Sequence, residues 1–111
     1  MLGITEYSNP VADPGILNLN ISDANNNDAD ELCNLGSAYI EFGQIPMAIS
    51  ALQQATKLKP EYANAWHNLG NAYFQDTQRD KAASAYRQTL SLDPDHISAK
   101  HNLQLSTMTD L

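Results

Sequence analysis

The sequence predicts an all-α fold, a solenoid of antiparallel helix pairs with about five helices, preceded by a non-helical N-terminal segment. An internal repeat is the first observation behind this prediction. When residues 29–62 are laid over residues 63–96, thirteen of the thirty-four columns are identical, whereas chance would give about two. The second observation is that apolar residues recur within each copy at i, i+3, i+4 and i+7, as on one face of an α-helix. A repeat of this length is typical of helical solenoids.

The limits of the first helix of each repeat can be predicted from the residues at its two ends. In the first repeat it is expected to begin near Asp28 or Asp30, since aspartate favours the N-cap position. It is expected to stop at Gly43, because glycine readily adopts the left-handed conformation that closes many helices. The same pattern in residues 63–96 predicts an equivalent helix there.

The second helix of each repeat is bounded by prolines or by an acid. Pro46 is expected in the first turn, where the missing N–H costs nothing. In the second repeat we expect Asp80 to cap the equivalent helix. Both second helices are expected to end before Pro60 and Pro94, because a residue that precedes proline is driven out of the helical region. The whole pattern is helix, tight turn, helix, proline, repeat.

A third copy begins at Ile97 and covers about half a unit. Gln104 stands in the column of the repeated glycine, and Lys100 in the column of Trp66. Bulk and polarity in these columns indicate that no helix follows, so residues 97–109 are predicted to be a capping helix with a polar outer face. We therefore predict a domain of residues 29–111 that ends with this cap.

Residues 1–28 differ from the repeats and are predicted to be a flexible or extended segment. They contain no lysine or arginine, and they cannot bury enough apolar surface to offset their ordering entropy alone. Within them, residues 17–21 alternate apolar and polar side chains, which is typical of an extended strand. One hypothesis is that this part docks on the first repeat or in a neighbour's groove. The alternative is a disordered leader.

Composition narrows the function classes. The 111 residues include six basic and thirteen acidic side chains, for a net charge of −7, which disfavours nucleic acid and anionic membranes as partners. No apolar run is long enough to insert into a bilayer, and the first residues lack the pattern of a secretory signal. The single cysteine, Cys33, fits a reducing compartment. A cytoplasmic, acidic interaction domain or scaffold is therefore expected.

The repeated residues resemble the signature of the tetratricopeptide repeat, over residues 29 to about 109. Leu32 departs from the tryptophan that this family favours, and Thr89 departs from its alanine. The resemblance implies a structural core in two repeats, made of Leu35, Gly36, Tyr39, Ala48, Pro60, Trp66, Leu69, Gly70, Tyr73, Ala82, Tyr86 and Pro94.

The glycines are expected to allow close contact between the two helices of each pair. Gly36 and Gly70 are expected to face Ala48 and Ala82 of the partner helix, so that the two helices approach closely. Trp66 is expected to be buried between neighbouring pairs, where a large aromatic side chain contributes most.

Catalysis and metal binding are not expected. Cys33, His67 and His101 occupy one column of successive repeats, which places them roughly 8–10 Å apart. Zinc needs its ligands at about 2.0–2.3 Å, so these three residues cannot close around one ion. No Gly-rich phosphate loop follows a strand. We therefore predict no enzyme, no cofactor and no metal.

A peptide-binding groove is implied instead by the resemblance, on the face of the first helices that points away from the core. Its residues are Asn34, Ser37, Glu41, His67, Asn68, Asn71, Phe74, Gln75, His101 and Asn102, with Cys33, Ile40, Leu105 and Met108 beside them. Asn34, Asn68 and Asn102 form a column whose amides suit an extended peptide backbone. If the two histidines belong to the site, binding is expected to respond between about pH 5.5 and 7.5.

The groove lacks the cations that related chaperone-tail binders use to clamp a terminal carboxylate. Cys33, Ser98 and Asn102 stand where those donors are expected, and the cations of the repeats are predicted to lie away from the groove. The predicted function is thus a protein–protein interaction or assembly module that binds a partner segment in its concave groove. The alternatives are a structural homo-oligomer that uses its groove or end face on itself, and a subunit that serves a larger enzyme.

Overall fold

The computed structural model describes residues 28–108, which form five α-helices. Their bounds are α1 Ala29–Glu41, α2 Ile45–Leu58, α3 Ala63–Gln75, α4 Arg79–Leu92 and α5 Ile97–Thr107. The predicted all-α solenoid of about five helices is confirmed. The capping helix ends at Thr107 rather than at residue 109. The predictions made for residues 1–27 lie outside the described residues.

The first helix begins and ends with residues suited to those positions. The Asp28 side chain accepts hydrogen bonds from the backbone N–H groups of Asp30 and Glu31, at 3.0 and 3.3 Å. It thereby satisfies two of the N–H groups that a helix leaves unpaired at its start. At the other end Gly43 has a φ of +76°, a conformation that glycine adopts without steric cost. Both helix limits follow from local sequence.

The expected cap of α4 is wrong. The helix begins two residues earlier than predicted, at Arg79, so Asp80 lies inside the first turn. The N-cap position belongs to Gln78, whose side chain makes no capping hydrogen bond; it donates instead to the Asp76 carboxylate. Asp80 still stabilises the helix start, because its charge opposes the positive end of the helix dipole.

The helices stack in chain order into a layered array. Each helix packs on the next one, and the first helices of the repeats also contact one another, α1 with α3 and α3 with α5. This leaves α1, α3 and α5 side by side along one face. The largest fully buried side chains are Tyr39, Tyr86, Leu32, Leu52 and Thr89.

Close helix contact depends on the glycines, and the side chains nearest to them are larger than the predicted alanines. A Cβ on Gly36 would collide with the Leu52 side chain, and a Cβ on Gly70 would lie 2.6 Å from Cε1 of Tyr86. The atoms nearest to the two glycines thus belong to Leu52 and Tyr86, while the expected neighbours Ala48 and Ala82 are buried in the same core. A large side chain one helical turn further along the partner helix extends over each glycine and fills the space.

Most of the predicted core residues are buried, and four are not. Leu35 and Trp66 are only partly buried, while Pro60 and Pro94 are exposed. Trp66 lies at the edge of the core, where its indole N–H donates a 2.8 Å hydrogen bond to the carbonyl oxygen of Pro60. The prolines therefore act on the backbone at the helix ends rather than by filling the core. None of the five helices within residues 28–108 has the length and apolar character needed to cross a membrane.

Candidate functional site

The face shared by α1, α3 and α5 contains a pocket of about 170 Å³. Four of the predicted groove residues meet there, namely Asn71, Phe74, Gln75 and Asn102. The full lining is Ile40, Asn71, Phe74, Gln75, Tyr86, Asn102 and Leu105. Tyr86 was assigned only to the core from the sequence; in the structure its ring covers Gly70 and the residue also lines the pocket.

The polar side of the pocket is a hydrogen-bond network that fixes two amides. The Tyr86 hydroxyl donates to Oδ1 of Asn71 at 2.6 Å, and Nδ2 of Asn102 donates to the same oxygen at 3.2 Å. Burial raises the pKa of Tyr86 to about 12, so the hydroxyl keeps its proton at neutral pH. The network leaves the NH₂ group of Asn71 as a donor and the Oδ1 atom of Asn102 as an acceptor. A donor and an acceptor side by side match a peptide group.

His67 extends this network below the surface. Its Nε2 atom lies 3.3 Å from Nδ2 of Asn102, so the ring accepts a hydrogen bond in its neutral form. Its centroid lies 4.6 Å from that of His96 and 5.8 Å from that of Tyr86. Burial, and then the nearby His96, lower the pKa of His67 to about 4. With this pKa the His67 ring stays neutral between pH 5.5 and 7.5, so His67 does not supply the pH response that was expected of binding in that range.

His96 has a structural role that the sequence analysis did not identify. Its Nδ1 atom accepts a 3.1 Å hydrogen bond from the backbone N–H of Ala99, which caps α5. Its Nε2 atom lies 3.4 Å from Oδ1 of Asn64 on α3. The ring thus holds the start of α5 against α3. The sequence did offer a signal for this capping role, because His96 stands between Pro94 and the first residue of the third copy.

The remaining predicted groove residues do not line this pocket. Cys33 is buried, with 4% of its surface exposed, and it accepts a 3.4 Å hydrogen bond from Nδ2 of Asn68. Asn34 is exposed, and Asn102 belongs to the pocket network. The three asparagines of the column therefore play different roles. The others divide by exposure: Glu41 and His101 are exposed, and Ser37 is partly buried.

The cations lie outside the pocket lining, but one is closer than predicted. The guanidinium carbon of Arg79 lies 5.4 Å from the centroid of the Phe74 ring, in a cation–π contact at the pocket's edge. Within residues 28–108 the one ion pair joins Lys59 to Asp30 at 4.0 Å. The pocket itself therefore presents amides and apolar side chains rather than charge.

A second, larger cleft of about 520 Å³ separates α4 from the end of α5. Its walls include Arg79, Ala83 and Arg87 on α4, with Thr107 and Met108 opposite. At the equivalent junction between α2 and α3, Tyr73 occupies the position of Thr107, and its hydroxyl accepts a 2.8 Å hydrogen bond from Gln53. The cleft is therefore the space that a tyrosine fills one repeat earlier.

In the part of the chain that the structure describes, no group of three or more histidine, cysteine, aspartate or glutamate side chains could hold a metal ion. In the repeated column, the Cys33 thiol and the His67 ring are each within hydrogen-bond distance of an asparagine, and His101 is exposed.

Comparison with known families agrees with this architecture. A sequence model described as "TPR repeat" matches residues 36–76, and one described as "Tetratricopeptide repeat" matches residues 63–96. No curated protein matches the chain significantly.

Solved structures with the same fold include three informative examples. MamA is 33% identical, with a TM-score of 0.75 over 81% of this chain and 52% of its own. YrrB, a TPR protein with an unusual peptide-binding site, is 26% identical, with a TM-score of 0.72 over 81% of this chain and 46% of its own. The first TPR of Spaghetti (RPAP3), bound to the HSP90 peptide SRMEEVD, is 24% identical, with a TM-score of 0.76 over 84% and 73%.

This chain spans about half the length of the MamA structure that it matches. The thirty-four-residue repeat, the glycine-dependent helix pairs and the matching sequence models lead to one conclusion: the chain belongs to the tetratricopeptide-repeat family.

Proposed function

We propose that this chain is a protein–protein interaction module that binds an extended segment of a partner protein across α1, α3 and α5. The observation that carries the proposal is the pair of fixed amides. Asn71 and Asn102 are held by Tyr86 and by each other, so their free donor and acceptor need no reordering when a peptide binds.

The pocket also indicates which side chain such a segment would offer. Ile40, Phe74 and Leu105 give it apolar walls, and its volume of about 170 Å³ suits one aliphatic or aromatic side chain rather than several. No lysine or arginine lines it, so a terminal carboxylate would find no charge-assisted clamp. The peptide in the Spaghetti structure is a property of that protein, and here we propose a neutral, apolar anchor instead.

The proposal can be tested with peptides selected from a random display library on the full chain. Leu105→Asp places a charge in the pocket wall and is expected to weaken binding of the selected peptides at least tenfold, about 1.4 kcal/mol or more. Gln104→Asp adds the same charge on the neighbouring exposed position and serves as the control. Equal affinities of the two variants would contradict the proposed groove.

Self-association remains a second candidate function, because large apolar side chains are exposed on α5 and at its end. Ile97 is 78% exposed and Met108 is 59% exposed, and unpaired apolar surface favours association. Light scattering across a range of concentrations measures this directly. A constant monomer mass would exclude the homo-oligomer, and Ile97→Ser should reduce any larger mass.

The proposal includes a non-catalytic role in the cytoplasm. Tetratricopeptide repeats are generally non-catalytic scaffolds, and the buried free thiol of Cys33 suits a reducing compartment. Fractionation of the source cell, followed by detection of the chain with an antibody, tests the compartment. Recovery in a secreted or envelope fraction would overturn that assignment.

A further inference from the structure

The cleft between α4 and the end of α5 differs in charge from the equivalent junction one repeat earlier. There, α2 presents Ile45 and Ile49, which are partly buried against the core. The corresponding row of α4 consists of Arg79, Ala83 and Arg87, and all three line the cleft. This exchange removes apolar bulk from the junction and places a cation at each end of the row.

The two guanidinium groups are accessible to a ligand. Arg79 and Arg87 are both exposed, and among the described residues neither forms an ion pair with a carboxylate. Asp80 is the one acid in the lining, so two arginines and one aspartate give the cleft a net charge of +1. The whole chain has a net charge of −7. A positive cleft on an acidic protein favours an anionic ligand at this place.

Between the two arginines the cleft is small-sided and uncharged. Ala83 and Ser106 lie at its bottom, with 4% and 7% of their surfaces exposed. The Ser106 hydroxyl already donates a 2.9 Å hydrogen bond to the carbonyl oxygen of Asn102. Met108 adds an apolar side chain to the lining. An apolar side chain can therefore enter between the charges without leaving the buried hydroxyl unpaired.

We propose that this cleft binds an extended segment of a partner protein that carries two acidic residues four positions apart, with an apolar residue midway. The Cα atoms of Arg79 and Arg87 lie about 12 Å apart along α4, at about 1.5 Å per residue. In an extended chain, residues i and i+4 are about 13 Å apart, and their side chains point to the same side as that of residue i+2. Each acid then pairs with one arginine, while the apolar side chain lies against Ala83.

This site is separate from the groove of the proposed function. The cleft and the pocket have no lining residue in common. They adjoin at one contact, where the Arg79 guanidinium lies 5.4 Å from the centroid of the Phe74 ring. The pocket is proposed to select a neutral anchor, whereas the cleft selects charge. Failure of one proposal therefore leaves the other standing.

Titration of the full chain with a labelled peptide, Glu-Ser-Leu-Ser-Glu blocked at both ends, tests the proposal. We expect a Kd below about 1 mM at physiological salt. The peptide Ser-Glu-Leu-Glu-Ser has the same composition and charge, but its acids are two positions apart. It should bind about fivefold more weakly, because it can reach only one arginine. A peptide with glutamine in place of each glutamate should bind more weakly still.

Substitutions in the protein locate the site. Arg79→Gln and Arg87→Gln are each expected to weaken binding of the acidic peptide about fivefold. Lys100→Gln removes the same charge from an exposed position of α5 outside the cleft lining. This control should change the affinity by less than about twofold, because salt screens distant exposed charges. Circular dichroism verifies that each variant keeps its helices.

Four results would overturn the proposal. They are no binding of the acidic peptide at about 1 mM, equal binding of the glutamine peptide, equal binding of the two acid spacings, and equal losses in the arginine variants and in Lys100→Gln. Light scattering of the chain alone completes the test. An oligomer that the combined Arg79→Gln and Arg87→Gln variant converts to a monomer would assign the cleft to a second copy and reject a separate partner.

Discussion

Cε1 of Tyr86 lies only 2.6 Å from the place that a Cβ on Gly70 would occupy. Helix propensity alone favours alanine over glycine by about 1 kcal/mol in a helix interior. The contact reverses that preference, because the buried Tyr86 ring would have to shift to admit the added methyl group.

Gly70→Ala is therefore expected to destabilise the fold by about 1–3 kcal/mol, as overpacked cores do. Chemical denaturation followed by circular dichroism measures the free energy of unfolding. Gln88→Ala is the control, since Gln88 is exposed on α4, in the same pair, and it should change stability by about 0.5 kcal/mol or less. A Gly70→Ala variant as stable as the wild type would show that the Tyr86 ring is not held against α3.

Filling the cleft between α4 and α5 should stabilise the array. Thr107→Tyr combined with Arg87→Gln copies the Tyr73 and Gln53 pair of the preceding junction. The buried ring and the restored hydrogen bond are expected to contribute about 1 kcal/mol, which raises the melting temperature by about 4–8 °C. Gln104→Tyr, at an exposed position of α5, is the control for the added ring. Equal melting of the two variants would mean that the cleft does not accept a tyrosine.

His67 should make the fold sensitive to acid rather than make binding sensitive near neutrality. Its pKa is about 4 in the folded protein and 6.5 without the fold, so the unfolded chain takes up the proton first as the pH falls. The stability that neutral His67 contributes is complete above pH 6.5 and is lost progressively as the pH falls from about 6.5 to 4. Thermal melts of the wild type and of His67→Gln across this range test the effect. The variant should lose less stability on acidification, and parallel losses would exclude His67 as the source.

Trp66 should matter less than a core tryptophan. Truncation of a buried tryptophan to alanine costs about 3–5 kcal/mol, but Trp66 is only partly buried. Trp66→Phe keeps most of the ring contact and removes the hydrogen bond to Pro60. We expect a loss of about 0.5–1.5 kcal/mol, the net value of one such bond, measured by denaturant unfolding. A loss above about 3 kcal/mol would show that the indole is part of the central core.

The sequence predicted the helices well because their limits depend on neighbouring residues. Asp28, Gly43 and Pro46 act within one helical turn, so their effect is visible in the chain itself. The start of α4 was misplaced by two residues because Asp80 suits a cap and a first turn almost equally.

The site was harder to predict, because its properties depend on residues brought together from different helices. The repeat showed which face each side chain occupies, but not which side chain of the partner helix covers it. Leu52 and Tyr86 rather than the alanines cover the glycines for this reason. The low pKa of His67 likewise comes from burial and from His96, which lies twenty-nine residues away in sequence. Neither effect can be read from helical periodicity.

The buried thiol of Cys33 provides a built-in probe of local opening. It is the chain's single cysteine, and it lies beneath Asn68, at the contact between the two repeats. A thiol reagent can reach it only when α1 separates from α3, so the labelling rate reports how often that separation occurs. Occupancy of the groove by a peptide would hold the two helices together and slow the labelling. The same reaction can therefore measure binding without an added dye or tag.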